Sequence, residues 1–365
     1  MKITFVMASG FTLTGGDRVV ATYAEGLHKR GHDVLVVSRP RIPVTLSERV
    51  RSLLKGQGWL PDKKKYPSHF DHLDVPCRLT NHFGPVGDND LPDADVVIAT
   101  WWETAEWVAN LSPGKGAKAY FIQHHEVFDY LPKEKVEASY RLPLHKITIA
   151  QWLVDLMKTQ YEDPHVSLVP NSVDTTQFFA PPRGKQPFPT VGLTYSDIPW
   201  KGCDISLAAF SIAAQQIPDL RLVSFGSEQP TPDLPLPADT EFHLSPSQEQ
   251  LKKIYSECDA WLFGSRIEGY GLPILEAMAC RTPVIGTPAG AAPELLSGGA
   301  GVLVDLENPV DMARAIVKIC QISEDQWKAM SNTAYTKATS YTLEMAIELF
   351  ESALSTAMER SQSLY

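Results

Sequence analysis

Nothing in this sequence builds a metal or disulfide framework. Its five cysteines, Cys77, Cys203, Cys258, Cys280 and Cys320, stand far apart, are odd in number and include no C-x-x-C. Such usage predicts small core residues in a reducing compartment. No apolar run is long enough to span a bilayer. The start, KITFVMAS after Met1, lacks the basic, apolar and cleavable parts of a signal segment, so a cytoplasmic location is expected. An excess of positive charge is also missing: the formal net charge is -10, which argues against a nucleic-acid partner. No short internal repeat suggests a solenoid. The dinucleotide fingerprint G-x-G-x-x-G is absent as well. The first glycine loop reads SGFTLTGGDR, and the second apolar run ends in Ser38 and Arg39, not in an acid that would hold a ribose. A nicotinamide dehydrogenase is therefore disfavoured.

What is present is an ordinary soluble composition over 365 residues, longer than one core usually grows. Residues 2–7, 17–30 and 33–38 read as strand, helix and strand, a βαβ unit. Apolar runs at 94–99, 117–122, 146–149 and 166–169 extend an open α/β sheet, with 41–89 irregular between them. After the loop APPRGKQPFP at 180–189 a second series begins: strand 190–193, helix 203–215, strand 221–225, and a helix opened by Ser245, Pro246 and Gln248. Strands 260–263, 283–286 and 301–304 follow, with a helix capped by Asn308 and Pro309. The economical architecture is two doubly wound Rossmann-like domains, 1–177 and 178–341, facing a central cleft. An amphipathic terminal helix within 342–365 is expected to pack back on the first domain.

The most informative stretch is SRIEGYGLPILEAMA at 265–279. Pro273 suits the first turn of a helix, where a missing N–H costs nothing. Gly269 and Gly271 let the preceding backbone bend, so that N–H groups near Gly271 and Leu272 face one point at the positive end of the helix dipole, a place for phosphate. Glu276 leans back toward that point, and Glu268 approaches it from the loop. Carboxylates beside a phosphate are acceptors for the hydroxyls attached to it, which suggests a nucleotide sugar. Gly15 and Gly16, directly before a helix, suit the close approach of the same diphosphate.

Gly15-Gly16, VPNSVD at 169–174, WKGCD at 200–204 and EGYGLPILEAMACRTPVIGTPAGAAPEL at 268–295 occur in the order found in family 4 glycosyltransferases of the GT-B fold, which the chain resembles over nearly its whole length. The pair of glutamates in the frame E-G-x-G-L-P-x-x-E-A-M-A is the most specific element. The resemblance implies that Glu268 hydrogen-bonds the donor sugar and Glu276 the nucleotide ribose. It also implies that the amides of Gly269, Tyr270, Gly271 and Leu272 meet the sugar and phosphates. Lys201 resembles the lysine that contacts the diphosphate. Where relatives often carry an arginine this chain has Thr194, Tyr195 and Ser196, so either Arg266 supplies the second positive charge or one cation suffices. Arg281 stands where relatives commonly have glycine.

In the first domain FIQHHEVF at 121–128 follows a strand, where the family often places a histidine facing the reacting sugar. Gln123, His124 and His125 compete for that role, and His124 is preferred. TWWETAEW at 100–107 leaves another strand, and Trp101, Trp102 and Glu103 are candidates, with His125, for the acceptor side. The pairing of these two segments is faintly similar to bacterial rhamnosyltransferases. Arg49, Arg51, Lys55 and Lys63–Lys65, interleaved with Leu53, Leu54, Trp59 and Leu60, form a basic and apolar flap that more often is a solvated loop than a weak peripheral membrane contact. Asp88-Asn89-Asp90 echoes a metal motif of another fold, but no metal is expected beside Lys201 and the helix amides. The resemblance implies a retaining transferase that moves a sugar from a UDP-, GDP- or dTDP-linked donor to a glycan, lipid-linked or small-molecule hydroxyl, with no further cofactor. A nucleotide-sugar epimerase and a non-catalytic glycan-binding subunit are the alternatives.

Overall fold

The computed structural model of the protein describes residues 1–43, 45–54, 58 and 67–363. The chain divides into two compact units, one of Met1–Ile149, Leu153–Val169 and Ile347–Tyr365, the other of Ala150–Trp152 and Pro170–Ala346.

In the first unit the order is β1 (Lys2–Met7), α1 (Gly15–Lys29), β2 (Asp33–Ser38), α2 (Leu46–Leu54), β3 (Cys77–Leu79), β4 (Val96–Ala99), α3 (Trp102–Ala109), β5 (Ala117–Ile122), α4 (Lys133–Ser139), β6 (His145–Thr148), α5 (Gln151–Gln160) and β7 (Val166–Leu168). These strands form one parallel sheet in the order β3-β2-β1-β4-β5-β6-β7. Parallel strands covered on both faces read as unbroken apolar runs, and all four residues of β4 are buried. Helix α1 starts where Thr14 Oγ1 accepts the Asp17 N–H at 3.3 Å while the Asp17 carboxylate takes the Thr12 N–H at 2.7 Å.

The second unit runs β8 (Thr190–Thr194), α6 (Cys203–Ala214), β9 (Arg221–Gly226), β10 (Glu241–Leu244), α7 (Gln248–Ser256), β11 (Ala260–Phe263), α8 (Leu272–Ala279), β12 (Val284–Gly286), α9 (Ala292–Leu296), β13 (Gly301–Leu303), α10 (Pro309–Gln321) and α11 (Glu324–Thr339). Its sheet is also parallel, ordered β10-β9-β8-β11-β12-β13. Trp261 and Trp327 are fully buried in it, and the Trp327 indole N–H donates to Asp259 O at 2.9 Å. The last helix, α12 (Leu343–Ser363), belongs to the first unit from Ile347 onward. There the buried Phe350 ring lies 4.5 Å from Tyr23 and 5.0 Å from Phe121, and Glu351 binds Arg30 and His32 at 3.0 Å each.

Several local expectations change. Region 41–89 contains α2 and β3, and β10 joins the second sheet at its edge. Both strands are short and expose much of their side chains, so their sequences lack the buried apolar signature. The capping box of α7 is Ser247 with Gln250, two residues beyond the expected Ser245, because Ser245 N–H still bonds Gly226 O at 2.7 Å at the end of the ladder. Asn308 does cap α10, accepting the Asp311 N–H at 3.0 Å. No described helix is long and apolar enough to cross a membrane. Of the basic and apolar flap, Arg49, Arg51, Leu53 and Leu54 fall in α2, with both leucines exposed. Lys55, Trp59, Leu60, Lys63, Lys64 and Lys65 lie outside the described residues.

Candidate active site

In each sheet the strand order reverses once, between β1 and β4 and between β8 and β11. Loops leaving the carboxyl ends of the two strands at such a point diverge to opposite faces and open a crevice between them. In the second unit these are the loops of Lys201 and of Glu268.

They meet through bare backbone. A Cβ on Gly202, whose φ is +59°, would lie 1.8 Å from Gly264 O, and one on Gly264 would lie 2.5 Å from Gly202 O. Only hydrogen fits on either side of this contact. The Arg266 N–H then bonds Trp200 O at 2.8 Å, and the paired loops set Lys201 Nζ 2.8 Å from Glu268 Oε1. Ser265 Oγ donates to the same oxygen at 2.9 Å. The Lys201 side chain is 40% exposed and that of Glu268 12%, so the ammonium remains reachable from solvent while the carboxylate is held.

Behind this pair, Gly271 at φ +98° forms the N-cap of α8, and Pro273 falls in its first turn. Among the described residues no acceptor takes the N–H groups of Gly271 or Leu272, which leaves donors at the positive helix end. Glu276, one turn further, is buried at 6% exposure, and Tyr255 OH donates to its Oε2 at 2.8 Å. Tyr255 was not legible as a site residue. It lies on α7, and its ring packs among Phe178, Phe225 and Trp261, as any core aromatic would.

The structure corrects the expectation for Arg266. All five of its N–H groups are taken: two by Asp204 at 2.9 and 2.8 Å, two by Glu307, one of them at 2.9 Å, and one by Pro199 O. The hydrogen bonds it donates to Asp204 and then to Glu307 raise its pKa further above the ordinary value. Arg266 is a clamp on the Lys201 loop and not a free cation for a diphosphate. Arg281 also finds a reason. Its φ is +62°, the left-handed conformation that favours glycine, and its guanidinium compensates by lying 3.9 Å from the Tyr335 ring centre and donating to Asn332 Oδ1 at 2.5 Å.

In the first unit Gly15 and Gly16 open α1, and Gln123 Nε2 donates to Gly16 O at 3.2 Å, so the β1 and β5 loops meet. His124 Nδ1 is 2.9 Å from His125 O. A carbonyl only accepts, so Nδ1 carries the proton and Nε2 of the neutral ring is an acceptor. His125 departs from its expected acceptor-side role. It packs on Tyr140 and Tyr161, its Nε2 is 2.7 Å from Tyr161 OH, and burial lowers its pKa to about 4. Trp102 is likewise a core residue at 8% exposure, while Trp101 stays half-buried. The Glu103 carboxylate is committed to Arg39 NH2 at 3.1 and 3.2 Å, and the Arg39 guanidinium lies 4.9 Å over Trp107. Asp88 and Asp90 take the N–H groups of Ser112 and Gly87, and among the described residues no three metal-ligating side chains converge.

One residue of the QHHE run had no assigned role. Glu126 is buried at 2% exposure, accepts the Trp102 N–H at 3.0 Å, and ties the β4 loop to the β5 loop. Burial raises its carboxyl pKa well above the usual range, against the Trp102 N–H and the Tyr120 hydroxyl, which favour the ionised form. The folded protein therefore binds this proton more tightly than the unfolded chain, and the stability it confers falls as pH rises above the ordinary carboxylate range. Glu126→Gln removes the titration. Melting curves between about pH 5 and about pH 9 should show the wild type losing stability relative to the variant as pH rises. A difference that stays constant with pH would refute this.

Residues 189–321 match the family described as Glycosyl transferases group 1. The MMP alpha-(1->4)-mannosyltransferase of Mycolicibacterium hassiacum is 32% identical over 157 residues, 41% of this chain and 37% of that protein. The D-inositol 3-phosphate glycosyltransferase of Corynebacterium jeikeium is 36% identical over 101 residues, 27% of this chain and 24% of that protein. The alignments thus span well under half the length of these curated relatives. Among solved structures, Anabaena HepE in complex with UDP has a TM-score of 0.73 at 17% identity, covering 98% of this chain and all of that one. Sucrose-phosphate synthase from Thermosynechococcus elongatus has a TM-score of 0.65 at 16% identity, covering 100% and 99%. The fold is the GT-B fold of glycosyltransferases.

Proposed function

We propose that the protein is a retaining glycosyltransferase that moves a sugar from a nucleoside-diphosphate sugar to an acceptor hydroxyl in glycan synthesis. The observation that carries this reading is the Lys201–Glu268 pair, at the strand-order reversal of the second unit and beside the open N–H groups of α8. A diphosphate at the helix terminus competes with Glu268 for the Lys201 ammonium and frees the carboxylate to accept from a sugar hydroxyl. The bond from the anomeric carbon to the phosphate oxygen breaks as the acceptor oxygen bonds the same face. The acceptor proton passes to the departing phosphate oxygen, whose charge Lys201 offsets. His124 Nε2 is the acceptor assigned to the donor sugar, and Trp101 is the aromatic assigned to the acceptor side. HepE has been solved with UDP and with UDP-glucose, which supports a nucleotide-sugar donor here.

The test is incubation with UDP-, GDP- and dTDP-sugars without acceptor. Slow release of the nucleoside diphosphate is expected. Isomerised donor would replace this reading with an epimerase, and no reaction with any donor would leave a binding protein.

Glu276 and Tyr255 give a separate prediction. A ribose contact is the same in ground and transition states, so Glu276→Ala should raise the donor KM by roughly 10- to 100-fold with kcat nearly kept, the scale of a lost hydrogen bond to a charged group. Tyr255→Phe should move KM the same way by roughly a factor of five, since the carboxylate stays but loses one donor. Initial rates against donor concentration decide it, and a fall in kcat at constant KM in either variant would contradict the assignment.

A further inference from the structure

The amino-terminal edge of the first unit's sheet, opposite Gly16 and Gln123, holds a cavity of about 750 Å³ that the proposed reaction does not use. That is the size of a small-molecule pocket. Lys118, His145 and Lys146, from the first residues of β5 and β6, line it with Arg141, Tyr161 and Arg360. Glu162 and Asp163 are the acids among its lining residues, so the lining carries a net charge of +2 in a chain whose total is -10.

Two of the cations, Lys118 and Arg141, are held by carbonyl oxygens. Lys146 is neutralised by Asp163 at 2.6 Å. Lys118, by contrast, donates to Ala109 O at 2.8 Å and to Leu111 O; burial lowers its pKa, and the Asp88 charge works against that shift. Arg141 donates to Gln160 O at 3.2 Å and to Glu137 O at 3.4 Å, while its guanidinium lies 4.9 Å over the Tyr161 ring. A carbonyl oxygen fixes a donor in place without cancelling its charge, so these groups are held and remain attractive to an anion. His145 adds no positive charge. Arg360 NH1 can only donate, so His145 Nδ1, 2.9 Å away, accepts, and its Nε2–H faces Ser167 Oγ at 2.9 Å. Burial and then the Arg360 charge hold its pKa at about 4.

We infer that this cavity is a second binding site, for a small molecule bearing a phosphoryl group, with Lys118 and Arg141 as its anion ligands. A guanidinium fork held on an aromatic face matches phosphoryl oxygens in geometry, and the ammonium adds a point charge. Leu142, Leu144 and Ala357 give the rest of the ligand an apolar wall, which favours a sugar phosphate over a bare anion.

Calorimetric titration with inorganic pyrophosphate tests the site. The wild type should show two classes of binding. Lys201→Ala should remove only the one near α8, and Lys118→Met/Arg141→Gln should weaken the other at least about tenfold, the loss expected for charge-assisted hydrogen bonds. Arg141→Gln alone changes a solvent-exposed residue and serves if the double variant fails to fold. Unchanged pyrophosphate binding in a folded cavity variant, or loss of all binding in Lys201→Ala, would overturn the site. Glucose 1-phosphate should bind the cavity more tightly than inorganic phosphate does, and equal or weaker binding would overturn the assignment to a sugar phosphate.

Discussion

Glu268→Gln should lower kcat by roughly 10² or more while leaving nucleoside-diphosphate affinity nearly unchanged, the scale seen when one preorganised electrostatic partner is lost. The glutamine keeps the size of the side chain and can still accept from Ser265 Oγ, which lies 2.9 Å from Oε1 in the native protein. What disappears is the negative charge toward Lys201 at 2.8 Å and, in the proposed reaction, toward a sugar that gains positive charge as its bond to phosphate breaks. On the proposed reading the ground-state contacts of the nucleotide lie elsewhere, at α8 and Glu276, so binding should survive. Removing the counter-ion also leaves Lys201 better able to meet the diphosphate, so a slight tightening of nucleotide binding is consistent with the same argument. Steady-state kinetics with nucleotide titration separate the two effects. Wild-type kcat in Glu268→Gln would sink the role given to this carboxylate.

Gly202→Ala should be at least as damaging, for a reason that involves no chemistry at all. The added methyl would sit 1.8 Å from Gly264 O, at a residue whose φ of +59° already disfavours a side chain. Backbone on both sides prevents the usual escape by rotation of a flexible neighbour. The loops must part, at a cost of roughly 3 kcal/mol or more, combining overpacking with left-handed strain. That corresponds to a melting temperature lower by roughly 10 °C for a unit of this size. The parted loops would also pull Lys201 from Glu268, so turnover should fall by roughly the 10²-fold that a 1 Å misplacement causes. Calorimetry and rate measurement below the transition check both halves. A variant with native melting temperature and activity would show that the two loops are free to separate.

The sequence by itself determined the parts whose causes are local. The bounds of β1, β2, β5 and β11 coincide with their apolar runs, Asn308 caps α10, and Gly271 with Pro273 starts α8 at the expected turn. In each case the energy that decides the conformation comes from residues within a few positions, through periodicity, capping or a fixed φ. Even Arg281 was marked in the sequence, by standing where glycine is common, although the left-handed φ that explains it appears only in the fold.

Partner choice among side chains was decided by the tertiary structure. Lys201 and Glu268 are 67 positions apart, Tyr255 and Glu276 21, and Arg39 and Glu103 64. The same long-range pairing removed Arg266 and His125 from the roles their types and neighbours suggested, by giving Arg266 two carboxylates and His125 a buried hydroxyl. No local rule contains these outcomes. A parallel sheet joins strands by crossovers of a dozen or more residues, so which loops become neighbours depends on strand order. A charged or polar group that loses water on folding then takes whichever partner that order brings within reach.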